Sequence, residues 1–105
     1  MASSKDYLEF VLDQLSLLHP ISYKAMMGEY ILYYRGKIVG GIYDDRLLVK
    51  VTDAAKKWMP DAPLETPYEG AKPMLFVEQI DDREFLKELF DAMVNELPAP
   101  KNLEK

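Results

Sequence analysis

A chain of 105 residues that is 49% apolar can bury a core of its own without a metal or cross-links to hold it. It contains no cysteine, which excludes disulfide frameworks, thiolate zinc sites, iron–sulfur clusters and cysteine nucleophiles, and fits a reducing compartment. Its net charge of −5 argues against indiscriminate affinity for a polyanion.

The residues Met1 to Asp6 lead into an amphipathic segment rather than the apolar core of a signal peptide. No run approaches the roughly 18 apolar residues of a membrane span. A cytoplasmic protein with no membrane contact is expected. Ser3 or Ser4 can cap a first helix with Asp6 in its opening turn. Leu8, Val11, Leu12, Leu15 and Leu18 then form one apolar stripe, widened by Tyr7, Phe10 and Leu17. Pro20 is expected to end the helix at His19.

From Ile21 the period changes to two. Strands are predicted over 22–27, 30–34, 38–43 and 46–51, separated by Gly28, by an Arg35-Gly36-Lys37 turn and by an Asp44-Asp45 turn. Connections this short require antiparallel neighbours, hence a meander. Thr52 can cap a short helix over 53–59 that Pro60 closes. Four prolines and Gly70 within 60–73 mark an ordered surface loop. A fifth strand is predicted over 74–79, and a last helix follows, capped by Asp81 or Asp82 with Glu84 in the position of a capping box. Its apolar residues run from Phe85 to Leu97 before Pro98. The order α-β-β-β-β-α-β-α describes one α+β domain over 1–98, a two-layer arrangement of about five antiparallel strands and three helices, with a polar tail over 99–105.

Few patterns suggest catalysis. The glycines of Arg35-Gly36-Lys37-Ile38-Val39-Gly40-Gly41 lack the spacing of a phosphate-binding loop or dinucleotide fingerprint, and no helix starts after them. Gly36 is expected to supply a positive φ in a hairpin turn. Gly40 and Gly41 are expected to mark a bulge or a close approach by another element. His19 sits where a side chain bonds the last carbonyls of a helix. The pairs Asp44-Asp45 and Asp81-Asp82 lack further ligands at metal-binding spacing and serve as turn and cap. No catalytic residue, cofactor, metal or small-molecule substrate is expected.

Tyrosines crowd the first three strands. Alternation puts Tyr30, Leu32 and Tyr34 on one face of the sheet and Ile31 and Tyr33 on the other. On the next strand it puts Ile38 and Ile42 on one face and Val39 and Tyr43 on the other. Both faces are therefore partly apolar, and the second needs a cover: the 60–73 loop with a helix, or a partner such as a second copy. Charge is uneven as well. Residues 21–60 carry seven Lys and Arg against four acids, and the rest carry six against fourteen.

Met26, Gly28, Tyr30, Leu32, Tyr33, Gly36 and Lys37, followed by Asp44, Asp45, Leu47 and Lys50, fall on the pattern M-F-G-G-Y-x-L-Y-x-x-G-K … D-D-x-L-Y-L-K. In this the chain resembles the N-terminal domain of the TfoX (Sxy) family of bacterial competence regulators. Pro67-Tyr68 and Lys72-Pro73-Met74 resemble that family's proline–aromatic loop and the strand after it. Met27, Glu29 and Leu48 depart from the pattern, standing where it has an aromatic residue, a glycine and a tyrosine. The resemblance covers about residues 5–95. It implies a secretion-chaperone-like two-layer fold, often dimeric, and transcriptional regulation through protein contacts, in a family linked to competence genes and the cyclic-AMP receptor protein. Family regulators carry a second, helical C-terminal domain, so a stand-alone domain is expected here.

The expected activity is that of a non-catalytic protein-interaction module with a protein partner or a homodimer. Tyr30, Tyr33, Lys37, Tyr43, Arg46 and Lys50 would form the contact surface beside the hairpins. Direct nucleic-acid binding through the basic stretch 21–60 and a small ligand-binding domain are the alternatives.

Overall fold

The computed structural model describes residues 4–98, so a Ser3 cap and the expected tail over 99–105 lie outside the described residues. Helix α1 (Lys5–Gln14) starts at Ser4, whose hydroxyl accepts the Tyr7 N–H at 3.1 Å. It stops earlier than the leucine spacing predicts. Leu15 and Leu18 are still fully buried, but they reach the core from turns rather than from helix. The Leu15 and Ser16 N–H groups bond the Val11, Leu12 and Asp13 carbonyls at the helix end. His19 is therefore not needed as a cap: it is exposed, and the peptide to Pro20 is cis.

Strands β1 (Ile21–Met26), β2 (Glu29–Tyr34), β3 (Lys37–Ile42) and β4 (Leu47–Val49) form the expected meander. Each is joined to the next by two residues at positive φ: Met27-Gly28, Arg35-Gly36 and Asp44-Asp45. Two left-handed residues in a row give the turn whose twist matches that of the flanking strands. Gly36, at φ 80°, is the residue that allows the second turn, and Lys37 belongs to the strand rather than to the turn. In the third, the Tyr43 and Arg46 N–H groups bond each other's carbonyls at 2.9 and 3.0 Å.

Thr52 caps α2 (Asp53–Trp58) by accepting the Ala55 N–H. The proline-rich loop contains an unexpected short strand, β5 (Leu64–Glu65), which pairs with β6 (Met74–Phe76). The sheet thus has six antiparallel strands in the order β1-β2-β3-β4-β6-β5. Asp82 caps α3 (Arg83–Val94) through the Phe85 N–H at 3.0 Å, which leaves Glu84 one position short of a capping box.

All three helices contribute to one core on one side of the sheet. Leu8, Val11 and Leu15 meet Leu32, Ile42, Leu47 and Val49, closed over by Leu86, Leu89, Phe90 and Met93. Tyr34 tilts against Phe90 with ring centroids 6.3 Å apart. This is the two-layer α+β architecture. Among the described residues, no buried side-chain nitrogen or oxygen lacks a partner, and no helix is long and apolar enough to cross a membrane.

One face assignment is reversed. Leu32 pairs with Gly40 and Tyr33 with Ile38, leaving Val39 unmatched on β2. This bulge adds a residue to β3 and flips the alternation beyond it. Val39 and Ile42 therefore both lie in the core, while Ile38 and Tyr43 share the opposite face. Gly40 permits it: a Cβ there would stand 2.1 Å from the Leu48 carbonyl oxygen. Within the chain, the close approach expected at the two glycines comes from β4 and, at Gly41, from the Tyr30 carbonyl oxygen and the Tyr43 ring.

Candidate functional site

The helix-covered face takes two of the six expected contact residues. Tyr30 packs against the core and meets Tyr23 edge-on at 5.8 Å. Lys37 stands opposite Tyr34 and donates to the Val94 carbonyl at 3.0 Å, capping the end of α3, where a cation suits the helix dipole. Beside it, Asp91 gathers a cluster: the Tyr34 hydroxyl donates to it, Lys87 bonds it at 2.7 Å, and Arg35 lies 3.9 Å away with its guanidinium over the Tyr34 ring. Partial burial pushes the Asp91 carboxyl up, but the bonds from Lys87 and Tyr34 outweigh it and hold the group below its ordinary value. Burial first, and then the bond to Asp91, push the Tyr34 hydroxyl up. These groups satisfy one another and tie α3 to the hairpin.

The opposite face takes Tyr33, Tyr43, Arg46 and Lys50. No helix covers it. Its centre is an open groove of about 520 Å³ with Ile31, Ile38 and Gly40 on the sheet, Met26 and Val51 at the sides, and Pro67, Tyr68 and Pro73 from the loop. The loop shields one side only: Tyr68 tilts against Tyr43 at 6.2 Å yet stays 62% exposed. Burial raises the Tyr43 hydroxyl, helped by the nearby Tyr68, Glu29 and Tyr33.

Charge along the groove lining is one-sided. Arg46 is held by Glu65 at 2.6 Å, but Lys50 and Lys72 on the groove wall have no hydrogen-bond or ion-pair partner among the described residues. Lys24, beside Ile31 on β1, has none either. The groove lining includes no carboxylate. Tyr68, Lys72, Ile38, Met26 and Lys24 were not among the expected contact residues. The loop residues carry a turn signal and a likeness to the family's proline–aromatic loop, neither of which marks a contact, and alternation groups Ile38 with Ile42 because the bulge is invisible to it. Among the described residues, no group of three or more His, Cys, Asp and Glu side chains is placed to hold a metal.

Residues 13–94 match the family model described as the TfoX N-terminal domain. The chain belongs to the TfoX N-terminal domain family. It is similar to an uncharacterized 12.7 kDa protein in the trpE 5′ region of Spirochaeta aurantia, 33% identical over 102 residues, which are 96% of this chain and 89% of that protein. No solved structure gives a significant match. The TfoX-like pattern maps onto turns and seams: Gly28, Gly36, Asp44 and Asp45 make the hairpin turns, and Lys37 caps α3. Its departures lie on the open side. Met27 is 96% exposed at positive φ, Glu29 accepts the Asp44 N–H at 3.2 Å, and Leu48 is buried between Gly41 and Phe76.

Proposed function

We propose that this TfoX-type domain is a non-catalytic regulator of the competence type, acting in the cytoplasm by binding a protein partner on the open face of its sheet. The partner presents an acidic segment with apolar anchors. What supports the reading is the coincidence of an open apolar groove with Lys24, Lys50 and Lys72, all unpaired among the described residues, on a chain whose net charge is −5. Apolar anchors in the groove supply affinity, and the lysines select and steer an acidic sequence. Single-stranded nucleic acid is the second reading, because Tyr33, Tyr43 and Tyr68 share the face with the lysines. It is the weaker one. The Tyr43 ring lies against Gly41 and Tyr68 rather than bared for stacking, and Arg46 is held by Glu65.

Amide chemical shifts followed during titration separate these readings. The probes are a synthetic peptide of alternating Glu and Leu, the same peptide with Lys for Glu, and a single-stranded oligonucleotide. The acidic peptide is expected to perturb Ile31, Ile38, Tyr43 and Lys50. Combining Lys50→Glu with Lys72→Glu should weaken it by about tenfold or more and favour the lysine peptide. No binding of the acidic peptide, or perturbation confined to the helix side, overturns the proposal. Tight oligonucleotide binding that falls steeply with salt replaces it with the nucleic-acid reading.

A further inference from the structure

The two edges of the sheet differ in a way that points to a second copy of the chain. At one edge, β5 has two residues and lies between Pro63 and Pro67, so it offers almost no free ladder. At the other, β1 runs six residues in unbroken register with β2, with no proline or bulge inside it and one charged side chain, Lys24. Native edges are ordinarily blunted by proline, bulges, shortness or charge, and here Lys24 is the one such device.

The hydrogen-bond phase of β1 follows from one contact. The Arg35 N–H donates to the Pro20 carbonyl at 3.1 Å, extending the register that pairs Ile21 with Tyr34. Antiparallel pairs alternate between bonded and non-bonded, so Ser22, Lys24 and Met26 turn their backbone groups to β2. Ile21, Tyr23 and Ala25 turn theirs outward.

We infer that two copies pair antiparallel along β1, about a two-fold axis through Tyr23. The Tyr23 backbone groups then bond their counterparts, and Ile21 bonds Ala25 of the second copy in both directions. The register avoids a charge clash: Lys24 falls opposite Ser22 of the other copy, not opposite itself. On the helix side, the half-exposed Tyr23 rings, each already resting on Tyr30, meet across the axis. On the other side, the two open faces become one continuous surface with both Lys24 side chains near its middle. A partner with two acidic apolar segments would then engage both halves at once, with the gain of a linked second contact. The pairing itself does not depend on what binds that face.

Sedimentation equilibrium over a range reaching millimolar chain tests it, together with amide exchange read residue by residue. A reversible dimer is expected. The Tyr23 and Ala25 amides should slow as concentration rises, while those of Ser22 and Lys24 are protected at every concentration. Ala25→Pro removes an outward N–H and spares the bonds to β2, so it should give a monomer with an unchanged fold by circular dichroism. Tyr23→Lys sets like charges face to face and should raise the dissociation constant by about fivefold; it also covers the case in which the proline variant does not fold. A monomer throughout the range overturns the inference. So does a dimer that both folded variants retain, or exchange at Tyr23 and Ala25 that ignores concentration.

Discussion

Arg35, Lys37 and Lys87, at the seam between sheet and helices, all end on groups of α3: the first and last on the Asp91 carboxylate, the second on the Val94 carbonyl. Lys24, Lys50 and Lys72, on the other side of the same sheet, have no hydrogen-bond or ion-pair partner among the described residues. The apolar residues divide in the same way. Val39 and Ile42 are fully buried beneath the helices, whereas Ile38, one residue from Val39, is 38% exposed. Burial makes an unmatched polar group expensive, so the helix side must close its own ledger of contacts. The open face is under no such constraint. Groups left unmatched there are free for the partner proposed above.

The largest expected effect would break this contrast outright. Phe90→Ala beneath the helices should cost about 3–5 kcal/mol in urea unfolding, and Ile38→Ala on the open face less than about 1 kcal/mol. Equal losses would mean that the open face is core as well. Gly40→Ala comes next, at about 1–3 kcal/mol, because the new Cβ must displace the β4 backbone that the bulge brings against it. Lys37→Met should then cost about 1 kcal/mol through the lost bond to α3, against nearly nothing for Lys50→Met; peptide binding should show the reverse order.

The acid limb of stability sharpens the contrast further. The Asp91 carboxyl is held below its unfolded value, so its contribution is fully present above about pH 4 and is lost as pH falls through the lower, folded value. Asp91→Asn should flatten that part of a stability–pH curve. Lys50→Glu should not. The smallest effect is a gain. Met27 holds a left-handed conformation that asparagine adopts more readily, so Met27→Asn should stabilise the fold by about 1 kcal/mol. Weaker binding of the acidic peptide by the same variant would show that an apolar residue stays at this turn for the partner's sake.

Much of the fold could be read from residue types because its signals are local. Ser4, Thr52 and Asp82 cap helices that begin where a short polar side chain can reach a free N–H. The Gly28, Gly36 and Asp44-Asp45 turns fall where chain reversal needs positive φ. Leu97 and Leu18 misled the helix lengths, since a leucine can reach the core from a turn as well as from a helix. The candidate face was half legible. Tyr33 and Tyr43 do face away from the helices, but Tyr30 and Lys37 were grouped with them and serve the other side.

The sequence by itself determined the family, the order of the elements and the excess of apolar residues over what a one-sided sheet requires. Those depend on residue type and near-neighbour spacing. Tertiary structure alone decided which face stays open. A single bulge at Val39 reverses the alternation that assigns side chains to faces, and the Pro67–Pro73 loop shields only one flank of the groove. Whether a lysine is paired depends in turn on which helix end or carboxylate folds up beside it. Lys37 meets the end of α3; Lys50, on the groove wall, meets no partner among the described residues.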